Sequence, residues 1–291
     1  MLKRPFSSPL LAVLLLSLAV SAPGAAFAEG AGEVIPDVRY EPTPSAVVAE
    51  MLRLADVRAT DIVYDLGCGD GRIVITAARE RGARGVGIDI DPLRIDESRR
   101  NAAAAEVADR VEFRQEDLFA ADFSEATVVT LYLLQDLNRR LRPHLFKQLK
   151  PGTRVVSHDF DMGEWKAEAR SRIGRSTVFY WVVPANVSGR WEWRLPSAPG
   201  EERGQLQLRQ WFQQVSGALK SDAGYQLASR AALTGDRLRL TFEAGIGGHS
   251  GPLILEGRIR GEVIEGTLRG AGGKPAPWRA VREPGTMTAL E

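Results

Sequence analysis

The chain has 291 residues, enough for two domains of ordinary size. Its 44% hydrophobic and 26% charged residues are those of a soluble globular protein and exclude a disordered or low-complexity chain. Lys and Arg number 38 against 37 Asp and Glu, a net charge of +1, so no strong electrostatic pull toward nucleic acid is expected. Thirty-two of the basic residues are arginines spread along the whole chain, which reads as a coding bias rather than a patch. A single cysteine, Cys68, rules out an intramolecular disulfide, and its place inside a glycine loop reads as a small residue that fits there.

The N-terminus carries Lys3 and Arg4, an apolar run over residues 10–20, and the small-x-small triplet Ala26-Phe27-Ala28. That is the three-part pattern of a secretory signal peptide over residues 1–28. The run is too short for a comfortable membrane span of ~20 residues. The expectation is an exported protein, periplasmic or anchored facing the periplasm; a start codon placed too far upstream would make it cytoplasmic. Residues 29–40 read as an arm. From Pro44 the residues Val47, Val48, Met51, Leu52 and Leu54 share one helical face, with Thr43 as N-cap and Pro44 in the first turn.

Strands and helices then alternate. Strands are expected at 62–66, 85–90, 111–115, 127–133 and 153–158, and helices at 72–80, 92–105 and 137–149. This alternation implies an α/β fold, a parallel sheet covered by helices on both faces. A terminal hairpin is expected at 170–173 and 177–183, around Gly174-Arg175. After Pro184 the pattern changes to short alternating runs, among them Trp191/Trp193/Leu195, Leu206/Leu208, Leu238/Leu240/Phe242 and Leu253/Leu255. Turn signals such as Gly235-Asp236, Gly247-Gly248 and Arg260-Gly261 separate them. The expected division is a doubly wound domain over 29–184 and an accessory β-rich domain over 185–291, the latter a small antiparallel barrel or sandwich.

The strongest chemical signal is the run from Val63 to Arg72, an apolar strand entering the loop Asp65-Leu66-Gly67-Cys68-Gly69-Asp70-Gly71. Glycines let the backbone turn sharply and approach a ligand closely. The Gly-x-Gly-x-Gly spacing, with Asp65 just ahead, differs from the Gly-x-Gly-x-x-Gly of dinucleotide pyrophosphate loops. It favours a nucleoside with an amino-acid tail, such as S-adenosylmethionine (SAM), whose ammonium an acidic strand end attracts. Asp89 ends the second strand where a ribose needs a carboxylate acceptor. Asp91, just before Pro92, reads as a helix cap. Asp117, in Gln115-Glu116-Asp117-Leu118, follows the third strand and is placed to accept from an adenine amino group.

The run Asp65 to Arg72, then Gly87-Ile88-Asp89 and Asp117-Leu118, resembles class I SAM-dependent methyltransferases. Tyr40-Glu41-Pro42-Thr43-Pro44, the segment 127–134, and Ser157-His158-Asp159-Phe160-Asp161 are similar to the small lysine methyltransferases of the ATP synthase c-ring protein and the adenine nucleotide translocase, and to the Dot1-type core. The resemblance covers residues 40–184 and does not reach the β region. It implies a Rossmann-like methyltransferase sheet with SAM as cofactor. It sets Asp65, Gly67, Gly69 and Gly71 against the methionine portion, Asp89 at the ribose, and Asp117 with Leu118 at the adenine. Thr43 and Pro44 would lie in a segment closing over the cofactor. The implied reaction is N-methylation of a protein lysine, with a membrane protein as the expected acceptor and no nucleic-acid partner.

On the acceptor side, methyl transfer needs an uncharged nucleophile in line with the methyl group. Tyr132, after the fourth strand, and Asp159 and Asp161, after the fifth, are the candidates, Tyr132 lining a channel and an aspartate orienting the amine. Each also has a structural reading: Tyr132 as core filler, His158 as strand terminator, Asp161 as loop cap. Trp165, Trp181, Trp191 and Trp193 read as core before they read as an aromatic cage. His144, His158 and His249 lack metal-ligand spacing, so no metal is expected.

The rival readings are a nicotinamide oxidoreductase, which the loop spacing disfavours, and a nucleic-acid methyltransferase, which lacks its Asp/Asn-Pro-Pro-aromatic signal after the fourth strand. An exported non-catalytic module that binds SAM or a small ligand, or a methyltransferase of small molecules, also stays open.

Overall fold

The computed structural model describes residues 1–2, 40–197, 200–221, 224–245, 251–270 and 274–290. The export pattern at Lys3, Arg4, 10–20 and Ala26-Phe27-Ala28, the Gly247-Gly248 turn and His249 lie outside the described residues. Among the described residues no helix is long and apolar enough to cross a membrane.

The first sheet contains β1 (Ile62–Leu66), β2 (Arg84–Asp89), β3 (Val111–Gln115), β4 (Val128–Leu131), β5 (Arg154–His158), β6 (Ala169–Ile173) and β7 (Ser176–Val182). Their order is β3-β2-β1-β4-β5-β7-β6. The first five run parallel, and β7 is antiparallel to both β5 and β6. β4 is wholly buried and β1 nearly so, as expected of parallel strands covered on both faces.

Helices α1 (Ser45–Leu54), α2 (Arg72–Arg81) and α3 (Pro92–Ala104) bury Val47, Met51, Leu52, Ile73, Val74 and Ile95 in one core layer. Helix α4 (Gln135–Gln148) buries Leu137, Leu141 and Leu145 in the layer on the other face. This is the doubly wound α/β arrangement. Strand order reverses between β1 and β4, the switch point at which such sheets open a crevice at the carboxyl ends of their strands.

Asp91 caps α3, its carboxylate accepting from Leu93 N at 2.8 Å with Pro92 in the first turn. Thr43 does not cap α1. The residue preceding Ser45 is Pro44, no side chain caps the helix, and the Thr43 hydroxyl turns instead to His158.

The second sheet begins at Gly189 and contains β8 (Gly189–Ser197), β9 (Gly200–Trp211), β10 (Gln214–Ser221), β11 (Gly224–Leu227), β12 (Arg230–Thr234), β13 (Arg237–Phe242), β14 (Leu253–Arg260), β15 (Val263–Arg269) and β16 (Ala276–Arg282). Every pairing is antiparallel, and β16 pairs back to β8. The result is one curled meander with β11 and β12 at its edges, not a two-sheet sandwich. The alternating runs supply its interior, including Trp191, Trp193, Leu206, Leu240, Phe242 and Trp278. All four tryptophans weighed as a cage are buried core residues, Trp165 and Trp181 in the first layer system and Trp191 and Trp193 here.

The two sheets meet at the β9–β10 turn. Phe212 there is 1% exposed and belongs to the core of the first domain, its ring 5.9 Å from Phe146 and capped by the Arg142 guanidinium at 4.8 Å. Gln213 Nε2 donates to Lys166 O at 2.6 Å, and Ala185 N donates to Gly235 O at 2.8 Å.

Candidate active site

The glycine loop is held against the tip of β2. Gly67 N and Cys68 N both donate to Ile88 O, at 2.8 and 2.9 Å. Gly69 N donates to the Asp89 carboxylate at 2.8 Å, and Asp91 N donates to its other oxygen at 3.0 Å. Gly69 has φ +53°, and a Cβ there would lie 2.2 Å from Cε2 of Tyr40, so the tyrosine ring rests on bare backbone. At Gly71, with φ +80°, a Cβ would lie 2.7 Å from the Phe113 ring, which lets the loop enter α2 without a gap.

Residues 40–43 lace over this loop. Arg72 Nη1 donates to Thr43 O at 3.0 Å, while its Nε and Nη2 grip the Asp70 carboxylate. Burial pushes the Asp70 carboxyl up, but the Arg72 hydrogen bonds and charge outweigh it and hold it below its ordinary value. Arg94 stacks on the Tyr40 ring, 4.7 Å from its centroid.

Beneath this segment, at the carboxyl ends of β1 to β4, lies a cavity of about 510 Å³. Of the residues expected at the cofactor, Thr43, Asp65, Gly67, Asp89, Asp117 and Leu118 line it. Gly69, Gly71 and Pro44 are not in the wall. The two glycines shape the loop behind it, and Pro44 opens α1. Seven wall residues were not expected from their side-chain types alone: Glu41, Asp70, Arg72, Arg94, Phe119, Leu137 and Arg140. Glu41 stands inside the Tyr40-to-Pro44 motif, and Asp70 and Arg72 inside the Asp65-to-Arg72 run; no motif contains Arg94, Phe119, Leu137 or Arg140.

Asp65 is 2% exposed and accepts from Thr130 Oγ1 at 2.7 Å, because register sets residue 65 beside residue 130. Burial, reinforced by Asp89 and Asp70, pushes its carboxyl up to about 7 against the hydrogen bond from Thr130. Burial also raises Asp89, despite the backbone N–H groups that it accepts. Asp117 accepts from Phe119 N at 2.9 Å, an Asx-type turn that brings Leu118 and Phe119 to the wall; Arg140 stacks on Phe119 at 4.4 Å.

Tyr132 lines the cavity just beyond β4. Burial first, then the charges of Asp159 and Glu41, raise its phenol, so it remains a neutral donor. His158 is 1% exposed, with Nδ1 3.3 Å from Thr43 Oγ1 and Nε2 2.9 Å from Ser176 Oγ. Burial lowers its pKa against the pull of Asp159, so the ring is neutral, and both nitrogens are engaged.

Asp159 and Asp161 do not line the cavity. The Asp159 carboxylate accepts from Thr177 N at 2.6 Å and secures a backbone with φ +59°. Asp161 accepts from Gln135 Nε2 at 2.7 Å and Gly163 N at 2.9 Å. Both carboxylates tie the loop after β5, and Asp159 Oδ2 also lies 3.3 Å from His158 Nε2, behind the Tyr132 wall.

The wall fits SAM. Along it lie a buried carboxylate at β1 for an ammonium, a carboxylate at the β2 tip for ribose hydroxyls, and the Asp117-to-Phe119 turn after β3 for a base. The missing Cβ at Gly69 leaves room only for backbone between Tyr40 and the loop. The volume lies in the ~300–1,000 Å³ range of small-molecule sites.

The family model of the ANTKMT methyltransferase domain matches residues 65–169. A protein-lysine N-methyltransferase of Saccharolobus islandicus is 45% identical over 154 residues, which cover 51% of this chain and 96% of that protein. An adenine nucleotide translocase lysine N-methyltransferase of Mus musculus is 30% identical over 153 residues, 52% of this chain and 65% of that protein. A crystal structure of an RNA methyltransferase from Salinibacter ruber, in complex with S-adenosyl-L-homocysteine, is 63% identical, covers 49% of this chain and 93% of that one, and has a TM-score of 0.49.

Proposed function

This chain belongs to the SAM-dependent methyltransferases, in the family of the Saccharolobus protein-lysine N-methyltransferase, and on that footing we propose that it methylates a lysine side chain of a protein substrate. The observation that carries the reading is 45% identity across 96% of that relative's length. The wall chemistry supports it. Seven carboxylates (Glu41, Asp65, Asp70, Asp89, Asp91, Glu116 and Asp117) face three arginines (Arg72, Arg94 and Arg140), a field that favours a cationic acceptor over a phosphate backbone.

Bound here, SAM would supply an electrophilic methyl group on a sulfonium sulfur for an uncharged lysine amine. Asp65, Asp89 and the Asp117–Leu118 turn would hold its ammonium, ribose and adenine. Tyr132, backed by His158, forms the wall toward the acceptor, and burial keeps its phenol protonated. Neither His158 nitrogen is free to take a proton from the amine, because Thr43 and Ser176 occupy both. Glu41, on the rim beside Tyr132, attracts the ammonium form, whose proton leaves to water before transfer.

The test is to incubate the purified full chain with methyl-labelled SAM and separate protein and RNA fractions, then map the label. Label on lysine residues, lost with Asp89→Ala, is the expected result. Label in RNA alone would overturn the reading in favour of the activity named for the Salinibacter protein. The basic, apolar and small-residue sections of residues 1–28 support export and an acceptor at the membrane; recovery of the chain in the cytosol with its N-terminus intact would remove that part.

A further inference from the structure

Strand β6 is the outer edge of the first sheet, paired only with β7 among the described strands. Its side chains alternate. Ser171 faces α1 and bonds to Glu50. Arg170 and Arg172 point to the opposite face, across from Phe179 and Thr177 of β7, and Arg175 follows in the turn. All three arginines are exposed, and none makes an ion pair with a described residue. By contrast Arg53, Arg72, Arg94, Arg114 and Arg142 each hold a carboxylate.

The position of this edge gives the charge a use. The β6–β7 turn lies at the cavity end of the sheet. Ser176, next to Arg175, is 2.9 Å from His158, and His158 stacks on Tyr132 of the cavity wall. A polypeptide lying along β6 would therefore pass beside the acceptor side of the site. Residues two apart in a strand lie ~6.6–6.8 Å from each other on one face, the same repeat as alternate residues of an extended peptide. An unpaired edge also offers backbone N–H and C=O groups for strand addition. No large apolar side chain is exposed on this hairpin among the described residues, so it lacks the apolar anchor of a membrane-inserting surface.

We propose that edge strand β6 docks an acidic, extended segment of the protein substrate, with Arg170, Arg172 and Arg175 pairing to carboxylates that flank the target lysine. The inference rests on the protein-lysine reading above. The competing account is that the arginines only guard a sheet edge against self-pairing.

The experiment compares wild type with the triple variant Arg170→Ala, Arg172→Ala, Arg175→Ala as full chains. Each is given labelled SAM and a cell protein extract, labelled lysines are mapped, and synthetic peptides copied from those sites are assayed with their flanking Asp and Glu kept or changed to Asn and Gln. The expected result is acidic flanks at the labelled lysines and kcat/KM about tenfold lower for the neutralised peptides with wild type, a ~1.4 kcal/mol effect. The triple variant should lose that preference and keep its calorimetric SAM affinity. Labelled lysines without acidic neighbours, or a preference that survives the triple substitution, would overturn the docking site and leave lysine methylation standing. An aggregating variant with unchanged methylation would establish the edge-guarding account instead. Loss confined to binding of phosphatidylserine vesicles would overturn the proposal in favour of a membrane surface. If no lysine is labelled by wild type, the protein-lysine reading fails and takes this inference with it.

Discussion

The His158 imidazole lies against the Tyr132 ring, with centroids 3.9 Å apart and planes tilted by 33°. Since His158 also meets Thr43 and Ser176, one buried neutral ring ties the segment over the cofactor cavity, the end of β4 and the β6–β7 turn together. His158→Ala removes the support under Tyr132 and leaves two hydroxyls without a partner, at a cost of ~1–3 kcal/mol. We expect kcat/KM for the protein substrate to fall about tenfold or more, a loss near 1.4 kcal/mol, while Tyr132→Phe, which keeps the ring stack, loses less. Steady-state kinetics checks this. A lowered melting temperature with unchanged kcat/KM would reduce His158 to a structural role.

Asp65 predicts a pH dependence. Its carboxyl is pushed up to about 7 in the folded protein, so the folded state holds this proton more tightly than the unfolded state. Its contribution to stability is therefore full below its unfolded value near ~4 and is lost as pH rises toward 7. Cofactor binding has the opposite sign, because the SAM ammonium pairs with the ionised form. Affinity should rise with pH, by at most about tenfold per unit, and level off above 7. Calorimetry between pH 5.5 and 8.5 measures it. Asp65→Asn should flatten the profile, weaken SAM binding at pH 8 and stabilise the free protein at that pH.

Gly69 gives a steric test. A Cβ there would meet Tyr40 at 2.2 Å, on a backbone with φ +53°. Gly69→Ala should displace the tyrosine and weaken SAM binding about tenfold or more, with a backbone cost of ~1–2 kcal/mol. Adding Tyr40→Ala should restore the part due to the clash and not the part due to φ. A double variant no better than Gly69→Ala would show that the ring is not what the methyl group strikes.

Phe212 anchors the second sheet to the first domain. With 1% exposure and contacts to Phe146 and Arg142, Phe212→Ala should cost ~3–5 kcal/mol. Its φ of +51° adds that Phe212→Gly relieves backbone strain and should be less damaging than the loss of the ring implies. Calorimetric scanning is expected to split one transition into two as the domains uncouple. A single unchanged transition would mean that the remaining contacts suffice.

The cofactor loop and the doubly wound sheet were legible because their information is local. Residues 62–72 specify strand, glycine turn and helix in one contiguous run, and Asp89 and Asp117 follow at the tips of the next two strands. The alternating runs after Pro184 likewise marked the inward faces of the second sheet, since a period of two survives any packing. The choice between barrel and sandwich did not, because it depends on β16 pairing back to β8 across about ninety residues.

On the acceptor side, residue type suggests Asp159 and Asp161, and neither lines the cavity, Asp159 standing behind it against His158. Their carboxylates bind donors on other elements, Thr177 N and Gln135 Nε2, which no local pattern reveals. Arg94 and Arg140 are likewise ordinary surface types until helix packing sets them at the wall, and Phe119 reaches it through the turn that Asp117 closes. Phe212 sits in the turn after β9, yet its ring belongs to the core of the other domain, a placement that no local pattern announces. Chain-local chemistry is enough to identify the cofactor because adjacent residues share one turn of backbone. The acceptor site is assembled from segments more than a hundred residues apart, such as Thr43 and His158, and their meeting is a property of the packed sheet.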